Sequence, residues 1–264
     1  MAVERGDENE VLYLLNNWAD VNIKNLEGVG PLHIAVAKGH HHLIGPLINH
    51  GGFIELIGQD GYRPIHMITF SPKKSECLEQ LIAHNVNING KDRHGNTLLQ
   101  SMIKWRYKDV QFLKKLIECG SNPNCTDSSW NNCLHSLAVR CQIMENADIQ
   151  AVSDMLLAKI IDVDAKNRCG DTALFRACQY NNSLFAKILL QNGADMLSTC
   201  KEGLTPFDEA LRQDNQEILE EMMRSVVERE RSGEAMDSLV MRRIESNAEL
   251  EKLYVAISKV MDWL

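Results

Sequence analysis

The stretch GVGPLHIA, residues 28–35, decides the fold because the chain repeats it five more times. Altered copies begin at Gly61 (GYRPIHMI), Gly95 (GNTLLQSM), Trp130 (WNNCLHSL), Gly170 (GDTALFRA) and Gly203 (GLTPFDEA). The register positions 28, 61, 95, 130, 170 and 203 stand 33, 34, 35, 40 and 33 residues apart. A near-constant period of this size marks one supersecondary unit stacked on copies of itself, each too small to bury its own apolar face.

Each copy runs on into a second apolar segment at helical spacing, such as Leu43, Ile44, Leu47, Ile48, then Cys77, Leu78, Leu81, Ile82, then Phe112, Leu113, Leu116, Ile117. Val152, Met155 and Leu156 continue the series, followed by Leu184, Ile188, Leu189 and by Ile218, Leu219, Met222. Pro31, Pro64 and Pro206 suit the first turn of a helix, where the missing N–H would be unpaired anyway. Short turns such as ADVN at 19–22 and GADM at 193–196 close the blocks. The expectation is an all-α solenoid of helix-turn-helix repeats.

Six registered copies of this pattern resemble the ankyrin-repeat family, whose signature is a turn, a T-P-L-H-x-A helix start and a second helix on a period of 33. The resemblance covers about residues 2 to 224 and implies short β-hairpin-like turns between repeats. It implies that His33, His66 and His135 bridge neighbouring turns and that Ala35, Ala177 and Ala210 let the first helices pack closely. Leu14, Asp20 and Val21 leading into Asn22 resemble the ankyrin turns modified by asparaginyl hydroxylases. Two departures stand out. Gly6 occupies the slot of Gly39, so the array opens partway through a repeat, and Tyr13 and Trp18 fall on its open edge. The repeat that begins at Trp130 is long, with an insertion expected between its two helices at 141–148.

The expected organisation is an array over 1–224 (a partial first repeat plus six), a charged linker over 225–237 and a C-terminal helix over 238–264. The second helix of the last repeat is expected to run through Val226 and Val227 until Ser232 and Gly233 break it. In the final helix Leu250, Leu253, Ile257, Val260 and Leu264 recur at intervals of 3, 4, 3 and 4, a short heptad seam. That seam either folds back over the end of the solenoid or serves as a coiled-coil contact for a homodimer or another protein.

Composition excludes several classes. The net charge is −8, from 28 basic and 36 acidic residues whose signs are interspersed, which argues against nucleic acid or an anionic membrane as partner. No window approaches the roughly 20 apolar residues of a membrane span. The eight cysteines form no CxxC pair and no zinc spacing, and read as reduced thiols of a cytoplasmic or nuclear protein. His40, His41 and His42 are consecutive and share no helix face, so metal binding is not expected. Without a GxSxG elbow, an HExxH helix or a phosphate loop, no catalytic residue and no cofactor is expected.

What remains is recognition of another protein by an adaptor, scaffold or inhibitor. The resemblance implies that partners meet the turn tips and the exposed face of the first helices. On that reading the contact residues are Tyr62, Phe70, Arg93, His94, Asn96, Trp105, Asn131, Arg140, Arg168, Asp171 and Tyr180. Tyr62, Trp105 and Tyr180 are the expected aromatic anchors. The alternative is an assembly subunit that self-associates through the C-terminal seam.

Overall fold

A computed structural model describes residues 2–58, 61–105, 109–139, 145–160, 162–231, 238–245 and 248–262. Among the described residues there are fifteen α-helices, one 3₁₀ helix and no strand. None of those helices is long and apolar enough to cross a membrane. The chain divides into two compact units, Met1–Cys133 and Leu134–Leu264.

The first unit is built of paired helices: α1 (Ala2–Arg5) with α2 (Glu8–Asn16), α3 (Pro31–Lys38) with α4 (His41–Asn49), a 3₁₀ helix (Pro64–Phe70) with α5 (Lys74–Ala83), and α6 (Leu98–Trp105) with α7 (Val110–Glu118). First helices pack on first helices, with α3 against α1 and the 3₁₀ helix, and the 3₁₀ helix against α6. Second helices stack likewise, α2 on α4 and α4 on α5. The apolar tetrads read from the sequence form the core. Leu43, Ile44, Cys77, Leu78, Leu81, Leu113 and Leu116 have no exposed surface, and each aliphatic side chain so buried contributes about 1.5–3 kcal/mol. The fourth tetrad members Ile48, Ile82 and Ile117 are half-buried at the margin.

One expected helix takes the tighter form. Residues 64–70 contain three β-branched side chains, Ile65, Ile68 and Thr69, which lose rotamer freedom in an α-helix. Pro72 then drives Ser71 into extended backbone (φ −69°, ψ 135°). The segment closes with i→i+3 bonds, including His66 N–H to Arg63 O (2.9 Å) and Ser71 N–H to Ile68 O (3.0 Å).

The second unit holds α8 (Cys133–Ala138), which begins at the division, α9 (Asn146–Leu157), α10 (Ala173–Gln179) with α11 (Ser183–Gln191), and α12 (Pro206–Arg212) with α13 (Gln216–Arg231). Seven residues, 139–145, separate α8 from α9, against two between α3 and α4. Of the insertion placed at 141–148, residues 141–144 lie outside the described residues and 146–148 are the first turn of α9.

In the C-terminal region α13 runs through Val226 and Val227 to Arg231, as expected of the last repeat's second helix, so residues 225–231 of the segment bounded as a linker are helical; Val226 and Val227 are buried (2% exposed each) and α15 packs on this helix. The single terminal helix is two, α14 (Ser238–Glu245) and α15 (Ala248–Asp262). Ile244 and Leu250 are both buried; on one straight helix, six residues apart, they would point about 120° apart. Leu250, first residue of the seam, is 3% exposed within the chain, and Leu253 and Ile257 are half-buried. Leu264 and the side chain of Val260 lie outside the described residues.

Candidate partner-binding face

The turn before each first helix is made the same way six times. A residue three positions ahead of the register slot takes the slot's N–H and gives its own N–H to the next carbonyl, as in Asp92, where Gly95 N–H bonds to Asp92 O (3.0 Å) and Asp92 N–H to Asn96 O (2.9 Å). In four turns that residue is Asn25, Asp92, Asp127 or Asn167, and its side-chain oxygen accepts two further backbone N–H groups. The slot itself is left-handed, with φ from 70° to 80° at five glycines and 63° at Trp130. Only glycine adopts this without strain.

Neighbouring turns are tied by a relay from the first helices. His33 Nδ1 accepts from Gly30 N–H (3.3 Å), so its Nε2 carries the proton and donates to Tyr62 O (3.0 Å). His66 repeats this between Arg63 N–H (3.1 Å) and Asn96 O (3.2 Å). In the third copy Gln100 does the same, accepting from Thr97 N–H (3.0 Å) and donating to Asn131 O (2.8 Å). His135 reaches Asp171 O (3.0 Å) within the second unit. Burial holds the His33 and His66 imidazoles below the usual histidine range. The bridging role implied for the three histidines is thus present, and Gln100 joins it.

Lysines tie the turns a second time. Lys24, Lys91 and Lys166, each four residues before a slot glycine, donate to the carbonyls of Ile57 (2.8 Å), Thr126 (2.6 Å) and Thr199 (2.8 Å). Lys104 joins two turns through side chains, Asn96 Oδ1 at 2.6 Å and Asp127 Oδ2 at 2.8 Å. Burial alone would raise the Asp127 carboxyl, but the Lys104 ammonium and the Asn131 donors outweigh it and hold it below the usual carboxylate range.

Against this frame the expected contact residues separate. In the first unit Phe70 (56% exposed) and Trp105 (65%) stand out of the first helices, with Arg93 and His94 exposed at a tip, where Arg93 Nε donates to His94 Nε2 (2.9 Å). Tyr62 is half-buried, its ring 6.0 Å from that of His66, and Asn131 is half-buried against Asp127. In the second unit Arg168 is exposed. Tyr180 is half-buried at the end of α10 under the Arg176 guanidinium, 5.4 Å from its ring centre. Arg140 lies outside the described residues.

Two of the residues expected on the surface are corrected. Asn96 and Asp171 are buried (7% and 6% exposed), because the residue after the left-handed slot is turned back into the turn. Asn96 is held by Asp92 and Lys104, and Asp171 by Asn167 and, at 3.7 Å, by Arg176. Trp130, 56% exposed, is a tip residue the sequence reading passed over. The available signal was a tryptophan in a glycine slot. Ser128 N–H to His94 O (2.9 Å) sets its tip beside that of Arg93 and His94.

Elsewhere, the His40 and His42 rings sit 5.9 Å apart, and their Nε2 atoms bond to the carbonyls of Glu4 and Gly6. Among the described residues no group of three or more His, Cys, Asp or Glu is placed to hold a metal. The seven described cysteines are unpaired; Cys169 is exposed, and the rest are buried or half-buried.

Comparison with known proteins agrees with this architecture. A family model described as ankyrin repeats matches three times, over residues 1–92, 99–196 and 142–229. The chain is 27% identical over 207 residues to an ankyrin repeat protein of Acanthamoeba polyphaga mimivirus, covering 73% of this chain and 25% of that protein. It is 26% identical over 210 residues to the nuclear factor NF-kappa-B p105 subunit of Gallus gallus, covering 76% and 20%. It therefore spans about a quarter or less of the length of these relatives. The crystal structure of the ankyrin repeat domain of Bcl-3, described as a unique member of the IkappaB protein family, superposes with a TM-score of 0.69 at 21% identity, covering 83% of this chain and 95% of that one. With the family model matched over most of its length, the chain belongs to the ankyrin-repeat family.

Proposed function

We propose that this protein is a non-catalytic binding module, an adaptor, scaffold or inhibitor, that holds a partner protein on the first-helix face and turn tips of its first unit. Ankyrin repeats as a class bind other proteins, and NF-kappa-B and IkappaB relatives fit an inhibitor or adaptor role. The observation that carries the reading is the exposure of Phe70 and Trp105 at the ends of first helices and of Trp130 at a tip joined to that of Arg93 and His94. Large aromatics with arginine are what interface hot spots use, and apolar groups gathered on one face mark a contact surface. The unpaired cysteines support a cytoplasmic or nuclear setting. Self-association through the C-terminal seam has against it the burial of Leu250 within the chain.

The test is quantitative capture from a cell lysate by the intact chain and by a Phe70→Ala, Arg93→Ala, Trp105→Ala variant. A set of proteins held by the first and lost by the second, at unchanged far-ultraviolet circular dichroism, is the expected result. An identical captured set from the folded variant refutes this face.

A further inference from the structure

Two cysteines of the second unit meet across neighbouring turn tips. Cys169 precedes the left-handed slot Gly170 (φ 80°), and Cys200 opens the next turn of the same kind, with its N–H on Leu204 O (2.8 Å) and its carbonyl on Gly203 N–H (3.0 Å). The segments that carry them are tied twice: Lys166 Nζ donates to Thr199 O (2.8 Å) and Lys201 N–H to Cys169 O (3.0 Å). Gly170 lets them touch, since a β-carbon there would lie 3.3 Å from the α-carbon of Cys200. One repeat apart, the two segments run the same way, and in parallel chains the bond from Lys201 N–H to Cys169 O sets residue 169 opposite residue 200. Neighbouring chains so bonded lie about 4.8 Å apart, inside the roughly 4.4–6.8 Å between α-carbons that a disulfide spans.

The turn itself gives little reason for a thiol at 200. Asn25, Asp92, Asp127 and Asn167 fill this position in four other turns, where the side-chain oxygen holds two backbone N–H groups. A thiol is only a weak acceptor. Access separates the two sulfurs: Cys169 is exposed and Cys200 lies just beneath the surface, 8% exposed, whereas Cys178 of the same unit has no exposed surface. An accessible thiol beside a second, shielded one is the arrangement of an attacking and a resolving cysteine, and in a reducing compartment disulfides are transient and redox-sensing.

We propose that Cys169 and Cys200 are a redox modification site, joined by a reversible disulfide when the protein meets a hydroperoxide. The Cys169 sulfur, as thiolate, attacks one oxygen of the peroxide; the O–O bond breaks, the other oxygen leaves as alcohol or water, and Cys169 becomes a sulfenic acid. The Cys200 thiol then gives up its proton and its sulfur displaces the hydroxyl, so that the S–S bond forms, the S–O bond breaks and water leaves. The two thiols lose two electrons and the peroxide gains them. The bridge pins the tips of the last two repeats together and closes the chain between them into a loop, which restrains their separation. It is independent of the face proposed on the first unit.

The test treats the reduced full chain with hydrogen peroxide in small excess. Thiols should fall from eight to six, and a tryptic digest without reductant should contain residues 169–176 joined to residues 188–201. Dithiothreitol should restore all eight. In Cys200→Ser the reaction should stop at the sulfenic acid, read as a dimedone adduct on Cys169, and Cys169→Ser should slow the loss of thiols at least about tenfold. Both variants should melt, reduced, as the wild type does, because Cys169 is exposed and serine at 200 offers the turn an oxygen. A bridge from Cys169 to any other cysteine overturns the proposal, as does a dimer linked through Cys169. So does oxidation of Cys169 to a sulfinic acid at the same rate in the wild type and in Cys200→Ser.

Discussion

Replacing His66 tests the relay that joins the repeats. The imidazole is 1% exposed and holds Arg63 N–H and Asn96 O together. His66→Ala leaves Arg63 N–H without a partner, at about 1–3 kcal/mol, leaves Asn96 O with only Asp92 N–H (2.9 Å), and opens a cavity besides, for a total of about 2–4 kcal/mol. His66→Gln should cost about 1 kcal/mol or less, because Gln100 makes the same two bonds in the next repeat at 3.0 and 2.8 Å. The two variants should also differ in pH response. Burial lowers the folded-state pKa of His66, so the unfolded chain takes up the proton first as pH falls through about 6.5. Wild-type stability is therefore lost on acidification from that point downward to the folded pKa. His66→Gln should lose less, the remainder coming from His33, whose pKa is lowered in the same way. Urea unfolding at about pH 7.5 and about pH 5, followed by tryptophan fluorescence, reads the first unit, which holds three of the four tryptophans. Equal damage from Gln and Ala, or an unchanged pH response in His66→Gln, would refute the argument.

Asp127→Ala removes the acceptor for Ser129 N–H, Asn131 N–H and Lys104, and should cost about 2–4 kcal/mol by urea unfolding. The folded-state pKa of Asp127 is depressed, so its contribution is complete above about pH 3.9 and disappears as pH falls through the lower folded value; an acid titration of Asp127→Asn should lack that component. Denatured without reductant, the chain should show eight thiols, and two or more disulfides would contradict this. In the native protein a thiol reagent should modify exposed Cys169 first and Cys133 and Cys178 last, since burial pushes the latter two thiols far up. Amide exchange should be fastest over residues 2–24, where α1 is four residues long and much of the surface is open; uniform protection along the chain would count against it.

Repeat number and helix pairing follow from local chemistry, which is readable along the chain, whereas the linking role of the histidines was implied by the resemblance to the ankyrin pattern. A left-handed slot demands glycine, a helix start favours proline, and apolar residues at 3.6-residue spacing mark a buried stripe. These signals recur, so one weak copy is corrected by five others. Residues such as Asn96 and Asp171 carry no such signal. Whether a polar side chain after the turn faces solvent or folds back depends on Asp92 and Lys104 in one case and on Asn167 and Arg176 in the other.

Sequence alone therefore determined the all-α repeat, its register and the apolar stripe of each second helix, because each is set by residues within a few positions of one another. Tertiary structure decided where the repeat rule is broken. It gave the terminal segment two helices, α14 and α15, with Ile244 and Leu250 both buried. It committed Lys24, Lys91 and Lys166 to carbonyls about one period away, leaving their charge for the fold rather than for a basic patch. It also left Trp18, Trp105 and Trp130 outside the core. A tryptophan is as apolar in a glycine slot as in a helix stripe, and only the packing of neighbouring repeats settles which of the two is covered.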